Sequence, residues 1–219
     1  MIARHSRPVT LGQSHYFDER PGPGGGPEQV RRVELQGREV QVRTAAGVFS
    51  GGRLDPGTAV LLGHAGPLPG GGDLLDLGCG WGPITLAMAA ASPRATVWAV
   101  DVNPRARELT AAKARDNGLT NVQVRAPDEL DAGVRFAAVW SNPPIRIGKD
   151  ALHALLLTWL PRLAPGARAE LVVQRHLGAD SLHRWLGDAL GDDLHVARTA
   201  SSKGYRVLVV DRDPAQRGA

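Results

Sequence analysis

A short segment with two consecutive prolines carries the clearest chemistry in this sequence. Asn142 and Pro143 begin the segment, directly after the apolar stretch FAAVWS at 136–141, which is typical of a buried strand. Consecutive prolines stiffen a turn and remove backbone donors from it. The side-chain oxygen of Asn142 and the carbonyl oxygen of Pro143 could then hold both hydrogens of an –NH2 group and aim its nitrogen at an electrophilic carbon, so that positioning supplies the catalysis. The alternative is an ordinary turn that ends a strand.

A glycine-rich loop lies upstream, in the segment DLGCGWGP at 76–83. Three glycines alternate with other residues there: Gly78, Gly80 and Gly82. Without a Cβ, they let a ligand approach the backbone and they tolerate positive φ. A dinucleotide-binding loop needs a small residue at the sixth position of this pattern, where this chain has Pro83. The carboxylate of Asp76 is also unfavourable beside a pyrophosphate, but it suits a ligand with an ammonium group, such as the methionine part of S-adenosylmethionine.

Two more carboxylates follow the next two predicted strands. Asp101 comes after the apolar stretch VWAV at 97–100, where it could accept hydrogen bonds from both ribose hydroxyls of NAD or S-adenosylmethionine. Asp128 follows VQVR at 122–125 and could accept from an adenine amino group. Each aspartate alone is also explained as a helix cap or a solvated turn residue. Together with Asp76 they mark the carboxyl ends of three successive strands, where open α/β sheets bind ligands, and this predicts S-adenosylmethionine as the cofactor.

The predicted elements that must position these residues alternate between strand and helix. Strands are predicted at 73–78, 96–102, 122–126, 136–141, 169–175, 194–200 and 205–211, and helices near 83–91, 104–117, 149–163 and 179–190. This alternation is typical of a mostly parallel sheet. Only SSKG at 201–204 separates the last two strands, so they should pair as an antiparallel hairpin. Breaks are predicted at 117–118, 165–166 and 203–204.

The predicted fold is therefore an α/β, Rossmann-like domain with seven strands, helices on both faces and an antiparallel C-terminal hairpin. Two strand-like stretches at 29–35 and 38–44, joined by a Gln-Gly turn signal, predict a small N-terminal β extension. A short helix should start near Thr58, capped by Asp55 or Thr58. We expect an extension with a β-hairpin and a cofactor-covering segment at 1–60, a catalytic domain at 61–213 and a tail at 214–219.

Composition limits the class of protein. With 219 residues, of which 42% are hydrophobic and 22% charged, the chain suits one globular domain. No apolar run is long enough to span a membrane, and the first residues lack the apolar core of a secretory signal. A lone cysteine, Cys79, favours a cytoplasmic location, and the histidines have no metal-ligand spacing, so we expect no metal. The net charge of +4, almost wholly from arginine, suits RNA phosphates but also reflects the composition of a GC-rich genome.

The motifs resemble those of the methyltransferase small domain family of class I enzymes, whose better-known members methylate the N2 amine of guanine in ribosomal RNA. The resemblance extends over most of the chain. It rests on HYF at 15–17, GVFS at 47–50, LD at 54–55 with GT at 57–58, DLGCGWGPI at 76–84, DVN at 101–103, NPPIRIGK at 142–149, Gln174 and KGY at 203–205. It implies an S-adenosylmethionine-dependent N-methyltransferase acting on guanine N2 in 16S ribosomal RNA, with ribosomal RNA or a small-subunit particle as partner.

The resemblance also implies a set of site residues. The catalytic group would be Asn142, Pro143, Pro144 and Ile145. The cofactor would be bound by Phe49, Thr58, Asp76, Gly78, Cys79, Gly80, Gly82, Asp101, Val102, Asn103, Asp128 and Asn142. From their position beside the cleft, Arg146 and Lys149 could contact substrate phosphates, or they could be solvated loop residues. Characterised guanine-N2 members are longer and carry an aromatic residue after the two prolines, where this chain has Ile145. The alternatives are methylation of a protein glutamine at N5 or of adenine at N6, or a module that binds S-adenosylmethionine or RNA without turnover.

Overall fold

The computed structural model describes the backbone of residues 26–35 and 38–46 and the whole of residues 54–215. The strands are β1 Gly26–Leu35, β2 Arg38–Ala46, β3 Gly72–Leu77, β4 Ala95–Val100, β5 Val122–Arg125, β6 Phe136–Ser141, β7 Leu163–Gln174, β8 Leu194–Ser202 and β9 Tyr205–Arg212. The helices are α1 Pro56–His64, α2 Pro83–Ala91, α3 Pro104–Asp116, α4 Lys149–Trp159 and α5 Ala179–Ala189.

Seven strands form one sheet in the order β5-β4-β3-β6-β7-β9-β8. Neighbouring strands from β5 to β7 pair in parallel, and β9 pairs antiparallel with both β7 and β8. The predicted fold, with its antiparallel C-terminal hairpin, is confirmed. The order of strands reverses between β3 and β6, and this is the point at which open α/β sheets bind ligands beyond the carboxyl ends of their strands.

The sheet is covered on both faces, as predicted. On β3, Leu74 packs into a core with α1 and α2, whereas its neighbour Leu75 packs into the opposite core with α4 and α5. Both side chains are fully buried, because successive residues of a strand point to opposite faces. The third helix of the first layer, α3, packs beside α2. The carboxyl ends of the central strands therefore open between two helical layers.

The two N-terminal strands form a separate antiparallel pair, which agrees with the predicted hairpin. This hairpin contacts α1, α2 and α3, on the face of the sheet that those helices cover. Within the described residues, no helix is long and apolar enough to cross a membrane.

Two predicted boundaries were wrong on either side of Pro161. The helix predicted to 163 ends at Trp159, followed by a single 3-10 turn, because proline has no N–H to continue the helical ladder. The strand predicted from 169 begins at Leu163, so the predicted break at 165–166 lies inside β7. There the pairing with β6 slips, and Gly166, at φ +75°, donates its N–H to the carbonyl of Asp213 at 3.0 Å. The break is a bulge in a continuous strand rather than a loop.

Gly82 and Gly80 both adopt positive φ in the loop after β3, at +95° and +56°, but they differ in their surroundings. A Cβ on Gly82 would lie 2.9 Å from the hydroxyl oxygen of Thr110 on α3, whereas a Cβ on Gly80 would meet nothing within 4 Å. Gly82 is therefore required by the packing of α3 against the loop, and Gly80 leaves open space in front of the backbone.

We expect Gly82→Ala to lower the free energy of unfolding by about 2 kcal/mol or more, because a left-handed backbone and a steric overlap add. Gly80→Ala, the matched control, should cost only about 1 kcal/mol, from the backbone alone. Urea denaturation of both variants measures the difference. Equal losses would contradict a packing role for Gly82.

Candidate active site

The loop between β3 and α2 is held to the end of β4 through its backbone. The N–H groups of Gly78 and Cys79 both donate to the carbonyl of Val100, at 2.8 and 3.1 Å. The side chain of Cys79 is buried and lies 3.6 Å from the hydroxyl of Thr110, and burial raises the pKa of its thiol. The side chain of Cys79 therefore points towards α3, and only the backbone of Cys79 contributes to the surface of the glycine loop.

Asp76 is fully buried at the end of the central strand. Its Oδ2 accepts hydrogen bonds from the backbone N–H of Thr85 at 2.8 Å and from the Thr85 hydroxyl at 2.5 Å, so this carboxylate caps the first turn of α2. Its Oδ1 is buried and has no hydrogen-bond partner among the described residues. Burial, opposed by the two bonds from Thr85 and reinforced by the charge of Asp101, raises the pKa of the Asp76 carboxyl to about 7.

Asp101 lies directly after β4 and also receives two backbone hydrogen bonds. Its Oδ2 accepts from the N–H of Gly80 at 2.9 Å, and its Oδ1 accepts from the N–H of Asn103 at 2.8 Å. Asn103 in turn caps α3, since its side-chain oxygen accepts from Arg105. Between the two, Val102 is an apolar side chain that is 77% exposed. Each oxygen of Asp101 keeps a lone pair for a further donor.

Asp128 lies beyond β5, in a short 3-10 turn at Pro127–Glu129, and its side chain is exposed. The turn is closed by the carboxylate of Glu129, which accepts from the N–H of Ala126 at 2.7 Å. The carboxylates of Asp76, Asp101 and Asp128 thus lie at the ends of three neighbouring strands, β3, β4 and β5, as the sequence predicted.

The amide group of Asn142 has a defined orientation at the end of β6. Its Nδ2 donates to Oδ1 of Asp55 at 2.7 Å and to the hydroxyl oxygen of Thr58 at 3.0 Å. A carboxylate at neutral pH only accepts, so the nitrogen of the amide must be the atom that faces Asp55. The Asn142 side-chain oxygen therefore points away from α1 and remains available as an acceptor.

The backbone after Asn142 turns sharply at the two prolines. The N–H of Ile145 donates to the carbonyl of Pro143 at 2.8 Å, and Pro144 has φ −74° and ψ 79°, which is an inverse γ-turn. The Pro143 carbonyl is thus occupied by one donor, where the sequence suggested an unoccupied acceptor, and it keeps one lone pair. Below it, the hydroxyl of Ser141 donates to the carbonyl of Leu77 at 2.7 Å and ties β6 to β3.

The first turn of α1 carries a role that the sequence did not reveal. Asp55 was predicted as a possible helix cap, and its Oδ1 does accept from the N–H of Thr58 at 2.9 Å. The same oxygen also holds Asn142, and Thr58 is 4% exposed. Beside Asp55 and Thr58, the ring of Tyr205 packs closely on Gly57. A Cβ on Gly57 would lie only 2.9 Å from that ring. Burial and the Asp55 charge raise the pKa of Tyr205.

The other predicted site residues surround this centre. Ile145 packs partly against the core under α4, whereas Arg146 and Lys149 are exposed. Phe49, predicted to contact the cofactor, lies outside the described residues. The part of the chain that the structure describes holds no group of three or more His, Cys, Asp or Glu side chains arranged for a metal ion.

The sequence pattern of the methyltransferase small domain matches residues 39–209 of this chain. The chain belongs to the methyltransferase small domain family. It is therefore an S-adenosylmethionine-dependent methyltransferase, and the predicted cofactor is confirmed. The buried, unpartnered Oδ1 of Asp76 fits this cofactor, which carries an ammonium group.

Relatives of this methyltransferase differ in length. The uncharacterized protein YbxB of Bacillus subtilis is 32% identical over 89% of this chain and 96% of its own length. The ribosomal RNA small subunit methyltransferase C of Pseudomonas aeruginosa is 39% identical over 67% of this chain but only 48% of its own length. The solved 16S rRNA N2 G1207 methyltransferase of T. thermophilus, in complex with AdoMet and guanosine, superposes with a TM-score of 0.68 at 25% identity. The superposition covers 88% of this chain and 52% of the T. thermophilus chain.

We expect Asp55→Ser to keep α1 capped but to release Asn142, because serine caps helices as well as aspartate and is too short to reach the Asn142 amide. Methyl transfer should fall about 10- to 100-fold, the usual cost of a hydrogen bond to a charged group. Asp55→Asn is the matched control, since it keeps an acceptor oxygen at the same distance and should lose less. Single-turnover kinetics and thermal unfolding separate the two effects. A Ser variant with wild-type turnover would contradict the role of Asp55.

Proposed function

We propose that this methyltransferase transfers a methyl group to the exocyclic N2 amine of a guanine in 16S ribosomal RNA. The observation that carries the proposal is the fixed amide of Asn142, whose nitrogen is held by Asp55 and Thr58. Its oxygen and the remaining lone pair of the Pro143 carbonyl form a pair of acceptors for an –NH2 group. A conjugated, exocyclic amine is the group that needs two acceptors and no strong base.

S-adenosylmethionine supplies an activated methyl carbon on a sulfonium sulfur. Asn142 and Pro143 would hold the acceptor amine by its two hydrogens and direct its nitrogen at that methyl carbon. The electron pair of the methyl–sulfur bond would remain with the sulfur, and the surplus N–H proton would pass to water. The residues contribute through position and through their fixed dipoles, which need no rearrangement during the reaction.

The carboxylates at the ends of β3, β4 and β5 suit three parts of the cofactor. The remaining lone pairs of Asp101 are suited to the ribose hydroxyls, and the exposed Val102 is suited to one face of the adenine. Asp128 is suited to the adenine amino group. The unpartnered Oδ1 of Asp76 is suited to the ammonium of the methionine part, and the open space at Gly80 lets that part approach the loop. Thr58, which is buried in the first turn of α1, would close the site on that side.

RNA as the substrate is supported by the relatives and by charge. The solved relative with the TM-score of 0.68 is an N2 G1207 methyltransferase of 16S rRNA, in complex with AdoMet and guanosine. Lys149 lies seven residues beyond Asn142 and is exposed. It makes no ion pair with any side chain in the part of the molecule that the structure describes. Arg146 is also exposed on this loop. Both can meet phosphate groups at the mouth of the site.

The deciding experiment is a methyl-transfer assay on small ribosomal subunits, 16S RNA and ribosomal proteins from cells that lack this protein. Mass spectrometry of nucleosides should find N2-methylguanosine, and Asn142→Ala should reduce it at least 100-fold while the variant stays folded and still binds the cofactor. N6-methyladenosine or methylated glutamine in its place would overturn the proposal, and so would binding of both ligands without any turnover.

Salt dependence tests the phosphate contacts separately. Lys149→Ala should reduce the log–log slope of RNA affinity against salt by about 1, because one phosphate contact is lost. Arg115→Ala, an exposed residue near the end of α3, is the control and should leave the slope unchanged. Equal slopes for the wild type and Lys149→Ala would remove Lys149 from the RNA interface.

The pH dependence of cofactor affinity tests the role proposed for Asp76. The pKa of about 7 lies above the ordinary value of 3.8, so below about pH 7 the carboxyl of the ligand-free protein carries a proton, which the cofactor ammonium must displace. Affinity should therefore rise from pH 5.5 to about 7.5, below the pKa of about 8 of an α-ammonium group. Asp76→Asn should bind more weakly and show a flat profile by calorimetry. A flat profile in the wild type would exclude an ionising Asp76 from the ammonium site.

A further inference from the structure

A cavity opens beside the Asn-Pro-Pro turn, between α4 and α5. Its volume is about 270 Å³, and Ile145 forms part of its wall on the side of the candidate active site. Asn142, Pro143 and the glycine loop are not among its lining residues. A group seated in this cavity is therefore adjacent to the acceptor pair but is not the group that Asn142 holds.

The cavity is lined by both apolar and polar side chains. Leu152, Val173 and Leu182 are buried, and Leu177 leaves 37% of its surface exposed at the opening. The polar groups are the ammonium of Lys149, the imidazole of His153 and the hydroxyl of Ser181. Small-molecule sites commonly combine apolar walls with a few polar groups that orient the ligand.

The ring of His153 is held in place by Trp185. Its ring stacks on that of Trp185, with the centroids 3.4 Å apart and the planes inclined by 10°. Partial burial and the charge of Lys149 lower the pKa of His153, against the smaller opposing effect of Asp150. A neutral imidazole has one donor and one acceptor nitrogen, so it can hydrogen-bond to the edge of a nucleobase in either sense.

The surroundings of the cavity are basic. Arg175 and His176 are exposed in the turn between Val173 and Leu177, two of the lining residues. The N–H of Arg175 donates to the carbonyl of Gly204, which brings Lys203 and the tip of the β8–β9 hairpin to the same side. The carboxylate of Asp180 on α5 pairs with Arg206 at 2.6 Å and lies 3.5 Å from Arg198, so its negative charge is compensated.

When the target base leaves its stack, the cavity can supply contacts to the base next to it. An enzyme that modifies a base must take it out of the stack, and the neighbouring base then loses a stacking partner. Ile145 offers the target no aromatic surface, so less of that loss is recovered at the acceptor site itself. A cavity next to Ile145 that combines apolar walls with polar side chains, under a basic rim, can take up the neighbouring base while the rim contacts its phosphates.

We propose that the cavity between α4 and α5 binds the nucleobase adjacent to the methylated nucleotide in the same RNA strand. This assignment rests on the proposed RNA substrate. It makes the cavity a second base-binding site, separate from the acceptor pair at Asn142, and it makes Leu177, Ser181 and His153 determinants of the sequence context in which the target is methylated.

The test uses the shortest 16S RNA fragment that the wild type methylates, with an abasic nucleotide placed at the 5′ or the 3′ neighbour of the target. One of the two replacements should lower kcat/KM about tenfold, the usual worth of one base in contact with protein. Ser181→Trp, which fills the cavity from an exposed position on α5, should lower kcat/KM on the intact fragment by a similar factor. In that variant the abasic replacement should then have no further effect.

Two controls separate the cavity from the fold and from the cofactor. Asp188→Trp places the same side chain at an exposed position of α5 that does not line the cavity, and it should retain the full abasic penalty. Leu177→Ala, a mild truncation of an exposed wall, should reduce that penalty without a change in cofactor affinity. Tolerance of both abasic fragments by the wild type, or an undiminished penalty in Ser181→Trp, would overturn the second site and leave the proposed function intact. Methylation of protein but not RNA would overturn both.

Discussion

A carboxylate buried in the middle of the sheet joins the fold to the candidate active site. Asp76 lies on β3, between β4 and β6, and burying its charge costs free energy unless other groups hydrogen-bond to it. Thr85 offsets part of that cost by donating twice to one oxygen, so the first turn of α2 must lie directly beyond β3. The path of the glycine loop between β3 and α2 is thereby fixed, while the second oxygen of Asp76 is left for a ligand.

Asp101 combines the same two tasks at the end of β4. Its two oxygens accept hydrogen bonds from Gly80 in the glycine loop and from Asn103 at the start of α3. A carboxylate has about four lone-pair directions, and these two bonds use only two of them. A structural role and a ligand-binding role for such a residue are therefore compatible. The hydrogen bonds that build the loop also orient the oxygens that remain available, which reduces the reorganisation needed when a ligand arrives.

Features encoded by neighbouring residues could be predicted from the sequence, and long-range features could not. Pro83 and Pro104 begin α2 and α3 where the proline and the apolar pattern indicated. The start of β7 was missed because Gly166 and its proline neighbour resemble a loop, and only pairing with β6 and Asp213 makes them a bulge. No local pattern relates Asp55 to Asn142, since 87 residues separate them. Likewise, the cavity between α4 and α5 exists only once two distant segments pack together.

The two halves of the sheet differ in the charge at their carboxyl ends. Beyond β4 and β5 the first charged residues are Asp101 and Asp128, whereas beyond β6 and β7 they are Arg146 and Arg175. A cofactor with sulfonium and ammonium groups favours the acidic half, and an RNA strand favours the basic half. The order of strands reverses between β3 and β6, so the boundary between these halves lies at Asn142. A cation and a polyanion drawn to opposite halves would meet at Asn142, whose amide nitrogen is held by Asp55 and Thr58 and whose oxygen we propose as an acceptor for the amine.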